Sequence, residues 1–300
     1  MTVYHKPVLL QQCIEALKID PDGIYVDATF GGGGHSWEIL RQLSTKGRLI
    51  GFDQDAASAQ NCIQDEKFQF VQHNFRYMKN FLRYMGIEKI NGLVADLGVS
   101  WHQFDTPSRG FSFRFDETLD MRMNTGATLT AAAILNTAGS NELKEIFRNY
   151  GELRQAGKIT SLIEQMRAIT PINTAGQLVE CLKPVTPRAA ENKFLAQVFQ
   201  ALRIAVNHEL TALKDLLIQA AEMIIPGGRM VIISYHSLED KLVKNYIRYG
   251  QFDGQPEKDL YGNVSVPFSP VFTKPIVPDD REISRNSRAR SAKMRAAQHN

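Results

Sequence analysis

The chain has 300 residues, 43% hydrophobic and 22% charged, with a formal net charge of +3, which suits a soluble protein with one large core or two smaller ones. Its longest apolar runs, such as Met230 to Ile233, fall far short of the roughly 20 residues a membrane-spanning helix needs. The start MTVYHKPVLLQQ has no apolar signal region, so a cytoplasmic protein is expected. Three scattered cysteines, Cys13, Cys62 and Cys181, show no paired metal spacing and argue against a disulfide framework or a zinc site; no metal is expected.

Apolar periodicity predicts a helix over Val8 to Leu17, a turn at Pro21 to Gly23 and a strand over Ile24 to Ala28. Glycines 31 to 34 follow at once. A helix from His35 to Leu43 and a second buried strand, Arg48 to Asp53, complete a strand, glycine loop, helix, strand unit. Further strands are predicted at Phe68 to Gln72, Gly92 to Gly98 and Gly228 to His236. Strands alternating with helices indicate a mostly parallel, doubly wound α/β sheet.

The alternation stops after Gly98 and resumes only near Arg229. Within that gap, Ser140 to Tyr150 has an N-capping Ser140 and a stop at Gly151, and helices are also predicted at Arg154 to Ala168 and Thr174 to Leu182. An all-helical insertion over residues 104–190 is therefore expected, within a core made of residues 1–103 and 191–300. Asn192 to Ile224 carries an apolar stripe at spacings of three and four and reads as one core helix returning to the sheet. Residues 281–300 hold six cations against Glu282 alone, a charge of +5, so the rest of the chain is at −2. Such a basic tail suits a phosphate polyanion, and Arg288, Arg290, Lys293 and Arg295 are the expected RNA contacts.

The glycines stand where main-chain N–H groups at a helix start can approach a ligand, and Asp53 ends the next strand, where a carboxylate can take a ribose diol. Strand, glycines, helix and acid together favour a nucleoside cofactor over a plain turn. The dinucleotide fingerprint fails at its third glycine, because Ser36 stands there, and no Lys-Ser or Lys-Thr pair supports a phosphate loop. A second constellation, DLGVSWHQ (Asp96 to Gln103), follows the fourth strand, at the edge where open α/β sheets bind ligands. Asp96 either faces the crevice or caps the next turn. In the third, SYHSLEDKLVK (Ser234 to Lys244), Ser237 and Asp240 read as a capping box, with His236 and Ser237 facing a substrate or only closing the helix.

The blocks HKPVLL, DATFGGGGHS, GFDQD, ADLGVS, RGFSFR, LDMRM, QALRIAVNHEL, ISYHSLEDKLVK and SRARSAKMR, in this order over nearly the whole chain, resemble the ribosomal RNA small subunit methyltransferase H family. The resemblance implies a seven-strand Rossmann-like methyltransferase sheet with a helical insertion, S-adenosylmethionine as cofactor, and N4-methylation of a cytidine in the decoding centre (P site) of bacterial 16S ribosomal RNA. The partner it implies is that RNA or the small ribosomal subunit. Carried over position by position, the cofactor contacts are Gly33, Gly34, His35, Asp53, Phe75, Asp96 and Gln103. Trp101 and His102 stand where many members have a small residue and proline. Where many amino-methyltransferases carry an Asp/Asn-Pro-Pro-aromatic segment this chain has DLGVS, so Asp96, Ser100 and His236 remain open as catalytic groups. A dinucleotide-dependent oxidoreductase and a non-catalytic RNA-binding assembly factor are the competing readings.

Overall fold

The computed structural model describes residues 7–256, 262 and 266–300, with only the backbone of Trp101 and His102. His5 and Lys6, which open the HKPVLL block, lie outside the described residues. The chain divides into two compact units, one of residues up to Gly98 together with Leu210–Asn300, the other Val99–Glu209.

The first unit is built on seven strands: β1 (Ile24–Asp27), β2 (Arg48–Phe52), β3 (Phe68–Val71), β4 (Ile90–Asp96), β5 (Ile224–Ser234), β6 (Phe268–Pro270) and β7 (Lys293–His299). Their order is β3-β2-β1-β4-β5-β7-β6. The first five pair in parallel, and β7 runs antiparallel between β5 and β6. This is the doubly wound α/β sheet expected from the alternation of strands and helices.

Successive residues of a strand point to opposite faces, and the central strands are covered on both, so β1, β2, β4 and the second half of β5 are mostly apolar. Tyr25, Leu49, Val94, Val231 and Ile233 join a core with Leu9, with Ile14 and Leu17 of helix Leu10–Leu17, and with Ile39 and Leu40 of helix Gly34–Gln42. Their neighbours Val26, Ile50, Leu93, Met230 and Ile232 join another core. It takes Leu213, Leu217 and Ala220 from helix Glu209–Met223, and Val243 and Tyr246 from helix Ser237–Tyr249. Both layers leave the carboxyl ends of β1 to β5 on one edge.

The second unit is mainly helical, with helices Ala131–Thr137, Ser140–Asn149, Ala156–Arg167, Ala175–Leu182 and Glu191–Asn207. Its core includes Leu143, Phe147, Ile159, Ile163, Leu178, Val198 and Leu202. Thr174 and Gln177 form the capping box of Ala175–Leu182. Ser140 is not the cap of its helix, as the sequence suggests; Gly139 holds that position, and Ser140 is the first helical residue.

Three expectations change. The stripe from Asn192 to Ile224 is two helices, because His208 takes a left-handed conformation (φ 50°) that closes the first of them. That first helix, Glu191–Asn207, supplies Phe194, Leu195, Val198, Phe199 and Leu202 to the helical core, so the second unit spans 99–209 rather than 104–190. Residues 281–300 are also not a solvated tail. Lys293–His299 is a strand of the sheet with Met294, Ala296 and Ala297 buried. Arg295, assigned to RNA by charge alone, donates from Nε (2.7 Å) and Nη2 (3.2 Å) to Asp240, with both side chains only about a sixth exposed. Lys293 remains exposed, 3.7 Å from the same carboxylate.

Arg295→Ala is expected to cost about 2 kcal/mol, the scale of hydrogen bonds to a charged group. The melting temperature should fall by about 5 °C, whereas Arg290→Ala, at an exposed position, should leave it unchanged; calorimetry on both variants checks this.

Candidate active site

The loop between β1 and helix Gly34–Gln42 is fixed by a buried carboxylate. Asp27, 2% exposed, accepts from the Thr29 N–H (3.1 Å) and from the Ser36 hydroxyl (2.7 Å), tying the strand end to the first turn of the helix. Ser36, which breaks the dinucleotide fingerprint, is thus a clamp. Gly33 caps the helix with φ 76°, and a Cβ there would sit 3.0 Å from the Phe30 ring; a Cβ at Gly34 would collide with the Pro7 ring. The glycines are required by backbone conformation and close packing.

Asp53, just past β2, is half-buried rather than a solvated strand end. Its Oδ2 accepts from the Gly31 N–H (2.8 Å) and the Ser58 hydroxyl (2.7 Å), and its Oδ1 from the Asp55 N–H (2.8 Å). Two carboxylate oxygens offer about four acceptor positions, so among the described residues one is left unused. After β3, Asn74 caps the short turn Phe75–Tyr77 through the Arg76 N–H (2.9 Å) and donates to Gln54 Oε1 (2.9 Å), which holds half-buried Phe75 near the end of β2. Asp96, the last residue of β4, donates its N–H to Thr29 Oγ1 (2.6 Å), and its Oδ1 accepts from the Tyr235 hydroxyl (2.7 Å). Gly31, Asp53, Phe75, Asp96 and Tyr235 therefore share the carboxyl edge of the sheet.

His35 is buried in the first turn of helix Gly34–Gln42, where burial pushes its imidazole down to about 4, so it is neutral at pH 7. One ring nitrogen bonds to the main chain of Val8, and Nε2 is buried without a partner among the described residues. His236 has a structural task. It is the N-cap of helix Ser237–Tyr249, its Nδ1 accepting from the Glu239 N–H (3.4 Å), while Glu239 accepts from the N–H groups of Tyr235 (2.8 Å) and His236 (3.4 Å). The capping box thus lies one residue before the Ser237–Asp240 pair suggested by the sequence. Ser100 and Gln103, in the second unit, cap helix Trp101–Asp105 reciprocally. The Ser100 N–H donates to Gln103 Oε1 (3.0 Å), and Ser100 Oγ accepts from the Gln103 N–H (3.2 Å). Thr29, Ser58 and Tyr235 went unnoticed in the sequence, because a lone hydroxyl carries no periodic signal.

Donor set and cradle fit S-adenosylmethionine. The glycines leave room for a ligand to approach main-chain N–H groups, Asp53 has an acceptor position that a ribose hydroxyl can use, and His35 Nε2 is a buried polar atom that a ligand can match. Asp27 and Asp96 are raised, first by burial, to about 6 and about 7, which makes this edge receptive to a cation.

These shifts set a sign. The folded chain holds protons that the unfolded chain has released between about pH 4 and pH 7, so this contribution favours the folded state at low pH and is lost as pH rises. The ligand-free protein should lose melting temperature across that range through these two groups, and Asp96→Asn should flatten the trend. A slope unchanged in that variant would contradict the assignment.

The MraW methylase family model matches residues 2–300. Proteins called ribosomal RNA small subunit methyltransferase H resemble the chain closely. The one from Parabacteroides distasonis is 54% identical, covering 98% of this chain and 97% of its own, and that of Bacteroides fragilis strain YCH46 is 52% identical, covering 99% and 98%. Among solved structures, an rRNA methylase from Streptococcus thermophilus overlaps 97% of this chain and 93% of its own at 12% identity, with a TM-score of 0.41. On the full-length match and the shared identity, the chain belongs to the MraW methylase family.

Proposed function

We propose that the chain transfers a methyl group from S-adenosylmethionine to N4 of a cytidine in the decoding centre of 16S ribosomal RNA. The observation that carries this is the identity of more than half over the whole chain with relatives called ribosomal RNA small subunit methyltransferases. A carboxyl edge whose residues suit the cofactor supports it. The oxidoreductase reading finds no support in a chain of a methylase family.

The proposed cofactor contacts are Gly33, Gly34, His35, Asp53, Phe75, Asp96 and Gln103. When bound, the cofactor's sulfonium supplies the methyl group to an attacking amine. The protein's part is to hold the amine in line and accept its hydrogen bonds. Among the three candidates, Ser100 caps a helix through Oγ and His236 through Nδ1, with His236 Nε2 3.2 Å from Glu239 Oε1, whereas Asp96 keeps Oδ2 with no partner among the described residues, its Oδ1 being held by Tyr235. Asp96 is therefore the acceptor for the target amine. The second unit, 99–209, is proposed to recognise RNA, with exposed Arg290 and Lys293, together with half-exposed Arg288, adding phosphate contacts from the first unit.

Nitrogen is the favoured target because attack at cytosine C5 ordinarily needs a cysteine adduct. Cys13 is buried with its thiol raised well above its usual range, chiefly by burial, Cys181 is pushed up to about 11, and Cys62 sits half-buried on the loop before β3. Neither Cys13 nor Cys181 is a ready thiolate.

Transfer of labelled methyl groups to small subunits from cells lacking this protein tests the reading; no incorporation would overturn it and return the assembly-factor alternative. Asp53→Ala should weaken S-adenosylmethionine binding about ten- to hundredfold and lower the melting temperature as well, since three donors lose their acceptor. Asp96→Asn should lower kcat about hundredfold and, because Asp96 is also a proposed cofactor contact, weaken cofactor binding by a smaller factor; equal losses in both would place Asp96 on the cofactor alone.

A further inference from the structure

The chain from His73 to Tyr84 presents an aromatic face that nothing in the site uses. Met78 and Leu82 of helix Met78–Tyr84 are fully buried, and the opposite side carries Tyr77, 43% exposed, Asn80, Arg83 and Tyr84, 90% exposed. Tyr77 is the N-cap of that helix and Tyr84 its last residue, so the two stand at its opposite ends, about 10 Å apart along the axis. His73, also exposed, meets Tyr77 edge-on (ring centroids 5.0 Å), and the Arg76 guanidinium lies 5.5 Å from the Tyr77 ring centre. Arg76 and Lys79 have their charges answered by Asp215 (2.8 Å) and Glu222. Arg83, exposed beside Tyr84, has no carboxylate partner among the described residues.

We propose that the face of His73, Tyr77, Arg83 and Tyr84 is a stacking platform for unpaired bases of the RNA substrate. This rests on the RNA-methylating reading above. Exposed aromatic rings with one unpaired cation suit single-stranded RNA, whose splayed bases offer π-faces and whose backbone offers a phosphate. The span of about 10 Å accommodates some three stacked nucleotides at about 3.4 Å each. The platform begins two residues after β3, and Phe75, a proposed cofactor contact, lies between His73 and Tyr77. Its His73 and Tyr77 end therefore lies toward the carboxyl edge where methyl transfer is proposed, and its Tyr84 end points away from that edge. Because most of the local charge is already paired, attraction comes mainly from stacking, which separates this face from the basic residues near the C-terminus.

The test is fluorescence anisotropy with a labelled single-stranded RNA of about 16 nucleotides and with the same sequence as a blunt duplex. Tyr77→Ala and Tyr84→Ala should each lower single-strand affinity about tenfold, with duplex affinity, S-adenosylmethionine affinity and melting temperature unchanged. Phe at both positions should keep wild-type affinity, because the rings remain. Arg83→Ala should reduce the salt slope by about 0.7, while the tyrosine changes leave it alone. Unchanged single-strand affinity in the alanine variants, or equal loss in the Phe variants, would overturn the platform. So would alanine variants that bind naked RNA normally and lose only intact subunits, since that result assigns the face to a protein partner. Methyl transfer by the wild-type protein tests the underlying reading separately.

Discussion

The structure of the site depends on one buried carboxylate. Asp27 ends β1 with almost no exposure, and it accepts from Thr29 on one side of the glycine loop and from Ser36 on the other. A carboxylate in that position is costly unless hydrogen-bonded, and the bonds it makes set the path of the loop. Thr29 then receives the Asp96 N–H, and Gly31 in the same loop donates to Asp53. The ends of β1, β2 and β4 are thus joined through one short segment, so the positions proposed to hold a cofactor are tied to one another by hydrogen bonds.

The same network shapes the electrostatics. Asp27, Asp53 and Asp96 are all raised by burial, each in spite of hydrogen bonds that pull the other way. Three strained acids on one edge weaken the empty fold at neutral pH and favour a positively charged ligand there. Tyr235 adds a constraint at Asp96 by holding one oxygen and leaving the other open. Stability given up by the empty protein is in this way available to binding.

Much of this was legible in the sequence. The strand runs announced themselves because both faces of a parallel sheet are buried, and Gly31 to Gly34 followed by Asp53 located the edge. Other elements were hidden for physical reasons. KMRAAQH, the strand β7, has no β-branched residue, and its charge overrode the faint alternation of Met294 and Ala296, so a sheet strand read as a tail. The break at His208 left no mark, because the apolar spacing on both sides keeps helical phase. The cap of helix Ser237–Tyr249 shifted by one residue because a histidine took the part usually played by Ser or Asp. Tyr235 could not be chosen from its surroundings, since its partner Asp96 lies 139 residues away in the chain.

The function proposed for this site turns on the identity of the atom that receives the methyl group. It is tested most directly by mass spectrometry of nucleosides from 16S ribosomal RNA, after small subunits from cells lacking this protein are incubated with the purified protein and S-adenosylmethionine. N4-methylcytidine at a single position of the decoding centre is the expected product. A product of 5-methylcytidine, or methylation of an unrelated base, would contradict it.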